Sequence, residues 1–390
     1  MISRRALLTA GGSAAAAWLA PATARAIGKR PAPDGERLLY WSLEEQSHGF
    51  RRFDSVFPVR TIARGATAHA LPKGRPMPVR FTFGGEDYDL AAYARDARAA
   101  GLLVLKDGSV AEERYADRLT RRDRWTSFSM EKSFVSVLIG IAIEERHIAS
   151  VEDRIGRYVP ALRGSELETL KLRDVLQMSS GMEWNENYLQ PEADANAAIA
   201  IWTHGRPGDL LRYIGGKRIA WQPGSRFEYN SANTQLLVEV VKGATGIRPS
   251  AYLSERVWKP LGMESNGWWQ IEQGGGIEDG SICATLRDFG RFGQMMCDSG
   301  RAGGRQIVPA SWIAESTAPS PANPEYGYHW WLDGKGGFAA EGIYGQMIHV
   351  DPAARLVVVT LRTRMPIMGT PNDQAMGKAF LTAVKSAYAS

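Results

Sequence analysis

The pattern of apolar and polar positions changes character several times along the chain. Residues 27–85 are rich in Pro, Gly and Arg with little periodicity, which predicts a mostly irregular lead-in. At 101–115, Gly101-Leu102-Leu103-Val104-Leu105 and Ser109-Val110-Ala111-Glu112-Glu113-Arg114-Tyr115 flank Lys106-Asp107-Gly108. Apolar strand residues around an Asp-Gly turn signal predict a β-hairpin. From 129 to 145, Phe134, Val135, Val137, Leu138, Ile139, Ile141 and Ile143 make a helix that is apolar nearly all round. Such a helix belongs in the core of a large domain.

Residues 150–275 read as helices and loops, with helical segments at 172–176, 234–242 and 251–257. The pattern then returns to strands at 328–332, 343–350 and 355–362, with turns at Asp333-Gly334-Lys335-Gly336-Gly337 and Asp351-Pro352. A helix over 373–389 follows. Strands at both ends with helices between them predict an α/β fold whose sheet draws on both chain ends, with an inserted helical region. The expected division is a lead-in over 27–85, a sheet domain from 86–145 and 276–390, and an inserted helical domain over 146–275.

Residues 1–26 read as an export signal rather than a fold element. Ser3-Arg4-Arg5-Ala6-Leu7-Leu8 is a twin-arginine start, an Ala-rich apolar run extends to Ala20, and Ala24-Arg25-Ala26 supplies small residues at a cleavage site. The run is too short and too rich in Ala and Gly for a stable membrane span. The expected destination is the periplasm or beyond, with no stable membrane insertion after cleavage. Without Arg4, Arg5 and Arg25 the net charge of +5 falls to +2, and no basic block remains to suggest nucleic acid.

Composition narrows the classes further. With 44% hydrophobic and 23% charged residues the chain is ordinary globular material, which excludes a disordered tail, a collagen-like repeat or a membrane bundle. Cys283 and Cys297 cannot form a disulfide scaffold or a four-cysteine zinc site. An oxidising compartment permits a bridge between them, but both lie near apolar runs, where two buried free thiols fit as well. The six histidines are scattered and no H-E-x-x-H occurs. No metal and no organic cofactor is implied.

Chemistry enters at Ser129-Met130-Glu131-Lys132, which opens the apolar helix. The i,i+3 spacing puts Ser129 and Lys132 on one face, and a helix start favours a developing oxyanion. A serine hydroxyl needs a nearby base, and a desolvated lysine can act as one or hold a neighbouring tyrosine as phenolate. Alone, S-x-x-K also describes a capping serine and a solvated lysine. A solvated lysine fits poorly in the first turn of a core helix, whereas one facing a site fits well.

In its setting Trp125-Thr126-Ser127-Phe128-Ser129-Met130-Glu131-Lys132-Ser133-Phe134, this motif resembles the serine β-lactamase and penicillin-binding-protein superfamily. It is most similar to the class C-type esterases and the 6-aminohexanoate-dimer (nylon oligomer) hydrolases. Leu172-Arg173-Asp174-Val175-Leu176-Gln177-Met178-Ser179-Ser180-Gly181 matches a second landmark. Pro223-Gly224-Ser225-Arg226-Phe227-Glu228-Tyr229-Asn230-Ser231 resembles the turn that presents the family's catalytic tyrosine, with Ser231 at the third place where asparagine is commoner. The third block, Ala340-Glu341-Gly342-Ile343, resembles the strand lining the site. It departs from K-[ST]-G or H-x-G because Ala340 replaces the cation, which should weaken binding of a β-lactam carboxylate.

The resemblance implies a β-lactamase/transpeptidase-like fold, with an antiparallel sheet built from both chain ends and flanked by helices. It implies Ser129 as nucleophile, Lys132 and Tyr229 as the base pair, and the backbone N–H groups of Ser129 and Ile343 as oxyanion donors. Tyr188, Ser231 and Gly342 would meet substrate, Tyr188 by closing over an amide. His329 and His349 read as core or surface residues, since Tyr229 and Lys132 fill the base role. The expected activity is hydrolysis of a small ester or linear amide through an acyl-enzyme. The alternatives are a β-lactamase or D,D-peptidase, and a catalytically silent binding module on the same fold.

Overall fold

The computed structural model describes residues 32–388, so the expected export signal at 1–26 lies outside the described residues. The main sheet has six antiparallel strands in the order Trp331–Leu332, Phe338–Glu341, Met347–Asp351, Leu356–Arg362, Ala99–Lys106 and Ser109–Tyr115. It is therefore built from both ends of the chain. The junction of the two contributions is the pairing of Leu356–Arg362 with Ala99–Lys106, where Val358 lies opposite Val104. The predicted hairpin is present, and Asp107 and Gly108 take φ of 52° and 73°, the left-handed geometry an Asp-Gly turn supplies.

The two central strands are buried along their length because both faces are covered. Alternation of side chains divides them. Leu102, Val104, Leu356 and Val358 pack with Tyr93, Phe380, Val384 and Tyr388 beneath the helices Leu90–Asp96 and Pro371–Ala387. Leu103, Leu105, Val357 and Val359 join the larger core with the helices Leu286–Cys297 and Glu131–Glu144. Residues 131–142 of the latter helix are all buried, as its uniform apolarity predicts.

A second antiparallel sheet orders Val59–Ile62, Gly267–Ile271, Glu278–Ala284 and Trp125–Thr126. It corrects the reading of 27–85 as mostly irregular. That segment supplies the strand Val59–Ile62 and the helix Leu43–Arg51, whose start is fixed by a capping box between Ser42 and Glu45. Other boundaries also shift. Of 328–332 only Trp331–Leu332 is strand, because His329 takes φ of 60° and turns the chain. Of 343–350, the first residues form a turn between Phe338–Glu341 and Met347–Asp351, closed by bonds from Gly342 N to Gln346 O and from Gly345 N to Gly342 O.

Candidate active site

Ser129 does not start the core helix directly. It sits in a single 3-10 turn, Phe128–Met130, that leads into Glu131–Glu144. The turn is stapled to the strand Glu278–Ala284: Ser127 N donates to Ile282 O at 2.8 Å, Ile282 N to Ser127 Oγ at 2.9 Å, and Phe128 N to Ser281 Oγ at 2.9 Å. Phe128 takes φ of 46°, costly for an aromatic residue. Its ring is held against Phe50, Phe53 and Tyr344. The strained residue thus immediately precedes the serine and is held by its surroundings.

One turn on, the buried Lys132 donates to Ser129 Oγ at 3.1 Å and to Ser231 Oγ at 3.2 Å. Ser231 is the first residue of the helix Ser231–Thr245, which Asn230 caps by accepting from Ala232 N. Tyr229 precedes that cap. Its ring stacks on Trp331 with centroids 5.9 Å apart and lies 5.2 Å from Lys132 Nζ. The S-x-x-K pair and the tyrosine block, a hundred residues apart in sequence, therefore meet in one buried cluster.

Glu186, which sequence reasoning passed over, is the acceptor that organises the cluster. Its carboxylate takes Trp184 Nε1 at 2.6 Å, Tyr188 O–H at 2.6 Å, and both the amide and the hydroxyl of Ser231. Hydrogen bonds thus run from Lys132 through Ser231 to Glu186. This ties Ser231 to the lysine rather than leaving it only a substrate contact. The available signal was an acid flanked at i−2 and i+2 by aromatic residues with polar tips.

Behind Lys132 lie two more buried carboxyls. Burial pushes Asp279 up to about 6, against the pull of Lys132 and Gln235. Burial, reinforced by Asp279, raises Glu131 well above the ordinary carboxyl range, although Trp269 Nε1 donates to it at 2.5 Å. For Lys132 burial opposes the charge, but Tyr229, Glu186, Asp279 and Glu131 offset it and hold the ammonium above its usual value. For Tyr229 burial wins: the phenol is raised despite Lys132 and Ser129. Lys132 does pull the phenol down, as expected from the sequence, but burial makes the net direction upward. At neutral pH both groups hold their protons.

Gly342 follows the strand Phe338–Glu341 and lies so close to the turn carrying Ser129 that a Cβ would stand 2.5 Å from Ser127 O. The next residue, Ile343, has a backbone N–H with no hydrogen-bond partner among the described residues, while its carbonyl accepts from Arg364. Tyr188 is half-buried and lines the same space as Ser129. His329 and His349 are buried, and burial pushes them down to about 3 and about 4, so both stay neutral. Cys283 and Cys297 are buried free thiols. Among the described residues no group of His, Cys, Asp and Glu is arranged to hold a metal ion, and no helix is long and apolar enough to cross a membrane.

The sequence profile of the Beta-lactamase family matches residues 88–380. The chain is 28% identical over 367 residues to a 6-aminohexanoate-dimer hydrolase of Paenarthrobacter ureafaciens, covering 87% of this chain and 92% of that protein. A Bacillus anthracis structure assigned as a 6-aminohexanoate-dimer hydrolase superposes with a TM-score of 0.77 at 21% identity, over 87% of this chain and 93% of that one. A family VIII carboxylesterase superposes with a TM-score of 0.58 at 15% identity, over 75% of this chain and 95% of that one.

Proposed function

The chain belongs to the Beta-lactamase family, and from that premise we propose that it is an exported serine hydrolase of small esters or linear amides. The observation that carries this reading is the part-buried contact of Lys132 Nζ with Ser129 Oγ at 3.1 Å, beside Tyr229. The amide-hydrolase relative and the esterase fold neighbour support the substrate class. Export rests on the twin-arginine start at Arg4-Arg5 and the small residues at Ala24 and Ala26. The division into a sheet domain and an inserted helical domain is part of the same proposal. Its support is that the main sheet uses 99–115 and 331–362.

In the proposed reaction the Tyr229–Lys132 pair removes the proton of Ser129 as its Oγ attacks the carbonyl carbon. The N–H groups of Ser129 and Ile343 stabilise the oxyanion. The pair then returns the proton to the departing oxygen or nitrogen, the acyl bond to that atom breaks, and water hydrolyses the acyl-enzyme. Both partners hold protons at rest, so the reactive form requires one to be withdrawn. The hydrogen bonds from Lys132 to Ser231 and from Ser231 to Glu186 hold the lysine in place for that step.

The test is a turnover panel on the wild type and Ser129→Ala: a short-chain nitrophenyl ester, the linear aminohexanoate dimer and a chromogenic cephalosporin. The proposal expects ester or linear-amide hydrolysis that disappears in the variant. Cephalosporin turnover alone would favour a β-lactamase and mean that Ala340 does not impair carboxylate binding. Equal activity in both proteins, or failure of a serine-directed probe to label Ser129, would overturn the mechanism and favour a silent binding module.

A further inference from the structure

His329 takes φ of 60°, in the left-handed region that a residue with a side chain adopts only at a cost. It sits at the corner of a tight reversal, in which Gly327 N donates to Trp330 O at 2.9 Å and Leu332 N to Glu325 O at 2.8 Å. Glycine would meet the backbone demand of that corner more cheaply. What the histidine adds is a set of contacts to the segments that carry Lys132 and Tyr229.

The first segment is the opening turn of the helix Glu131–Glu144. Ser133 Oγ donates to His329 O at 2.7 Å, and His329 Nδ1 lies 3.2 Å from Lys132 O. A carbonyl only accepts, so the ring carries its proton on Nδ1. Burial, then the charge of Lys132, keeps the ring neutral at neutral pH, and Nε2 has no hydrogen-bond partner among the described residues. The second segment follows the helix Leu172–Leu176. His329 N donates to Leu176 O at 3.1 Å, and two residues further on Met178 O accepts from Glu228 N at 2.7 Å. Glu228 immediately precedes Tyr229. The third contact runs through Trp331, two residues after His329, whose ring stacks on Tyr229 with the planes 15° apart. Lys132 is therefore tied to His329 directly. Tyr229 is tied to it twice, through its backbone on one side and its ring on the other. His329 itself does not line the space in front of Ser129.

Resting on the hydrolase reading above, we propose that His329 is a positioning residue for the Lys132–Tyr229 pair. Its Nδ1–H and its carbonyl hold the first turn of the Ser129–Lys132 helix against the corner that supports Tyr229. That sets the spacing across which the proton of Ser129 is moved. His329 touches no substrate and exchanges no proton.

The test compares three replacements at His329. Asparagine places an amide nitrogen where Nδ1 stands and tolerates the left-handed backbone. Glutamine reaches toward the Nε2 position instead, and glycine suits the backbone best but has no side chain. Single-turnover acylation by a short-chain nitrophenyl ester, with enzyme in excess, separates the saturated rate from the half-saturating concentration. His329→Gly and His329→Gln should lose about 100-fold in the saturated rate, the cost of misplacing a reacting group by about 1 Å, with half-saturation nearly unchanged. His329→Asn should stay within about tenfold of wild type, because it keeps the bond to Lys132 O. An asparagine variant no faster than the other two overturns the proposal, as does a loss that resides in half-saturation or rates equal to wild type throughout. Thermal melts identify the folded variants. Should the His329 replacements not fold, Ser133→Ala decides: it deletes only the bond to the His329 carbonyl and should slow acylation about tenfold, and a rate equal to wild type overturns the proposal. Absence of Ser129-dependent acylation in the wild type overturns the hydrolase reading instead.

Discussion

Glu186 accepts hydrogen bonds from both the backbone amide and the side-chain hydroxyl of Ser231. The loop carrying Glu186 thereby fixes the first residue of the helix Ser231–Thr245, and with it the hydroxyl that Lys132 touches. The carboxylate is filled by donors from its own loop and from this helix, so its role is to orient.

Glu186→Gln therefore has a definite consequence. An amide in that place keeps one acceptor oxygen and turns its N–H₂ toward groups that are themselves donors. Unpaired buried donors cost about 1–3 kcal/mol of stability. With Ser231, and through it Lys132, less well placed, kcat should fall about 100-fold, the lower range for lost general acid–base assistance. Stopped assays from pH 5 to 10 on wild type, Glu186→Gln and Glu186→Asp check this. The aspartate should recover part of kcat and of the pH profile, and equal profiles in all three would reject the positioning role.

Gly342 tests the proposed oxyanion hole through the backbone. Its replacement by alanine puts a Cβ 2.5 Å from Ser127 O and 2.7 Å from Gln346 Oε1, so the turn must move and carry the Ile343 N–H with it. Loss of one oxyanion donor costs about 100- to 1,000-fold in kcat. Gly342→Ala should show that loss with KM changed far less, and thermal melting should confirm that the variant is folded.

The sequence-level expectations succeeded where a local pattern has a single physical meaning. Asp107-Gly108 predicts a left-handed turn, and a nearly all-apolar run at 134–143 predicts a core helix. That Ser129, Lys132 and Tyr229 would lie together was legible because S-x-x-K and the Pro-Gly-led tyrosine block recur in a known fold, and the structure brings them into one cluster. The strand Val59–Ile62 was not legible, because its pairing with Gly267–Ile271 is set by tertiary contact two hundred residues away. The carboxyl pair was hidden for a similar reason. No local pattern singles out Glu131 or Asp279, and only folding buries them together behind Lys132.

Tyr188 should separate amide from ester chemistry. Its hydroxyl donates to Glu186 at 2.6 Å, and burial, followed by the nearby Glu186 and Tyr229, keeps the phenol neutral. A neutral phenol at the mouth can assist a departing amine, which must be protonated, whereas nitrophenolate leaves without a proton. Tyr188→Phe should lower kcat/KM for a linear amide about 100-fold and for a nitrophenyl ester by less than about tenfold. Equal losses on both substrates would make Tyr188 a packing residue.

The buried Asp279 predicts how stability changes with pH. Its carboxyl is raised by burial from 3.8 to about 6, so between those values the folded protein holds a proton that the unfolded chain has released. The native state then binds more protons than the unfolded state, and stability falls as pH rises across that window. Above it the penalty of an ionised buried carboxylate is fully present and constant. Glu131 is raised as well and acts with the same sign. Asp279→Asn removes the penalty while nearly keeping the shape. Its melting temperature relative to wild type should therefore climb between pH 4 and pH 6 and level off by pH 7. Paired thermal melts in a constant-ionic-strength buffer series check this. A difference that is flat with pH would mean that Asp279 ionises as easily in the fold as in the open chain, and that the favourable pull of Lys132 balances its burial.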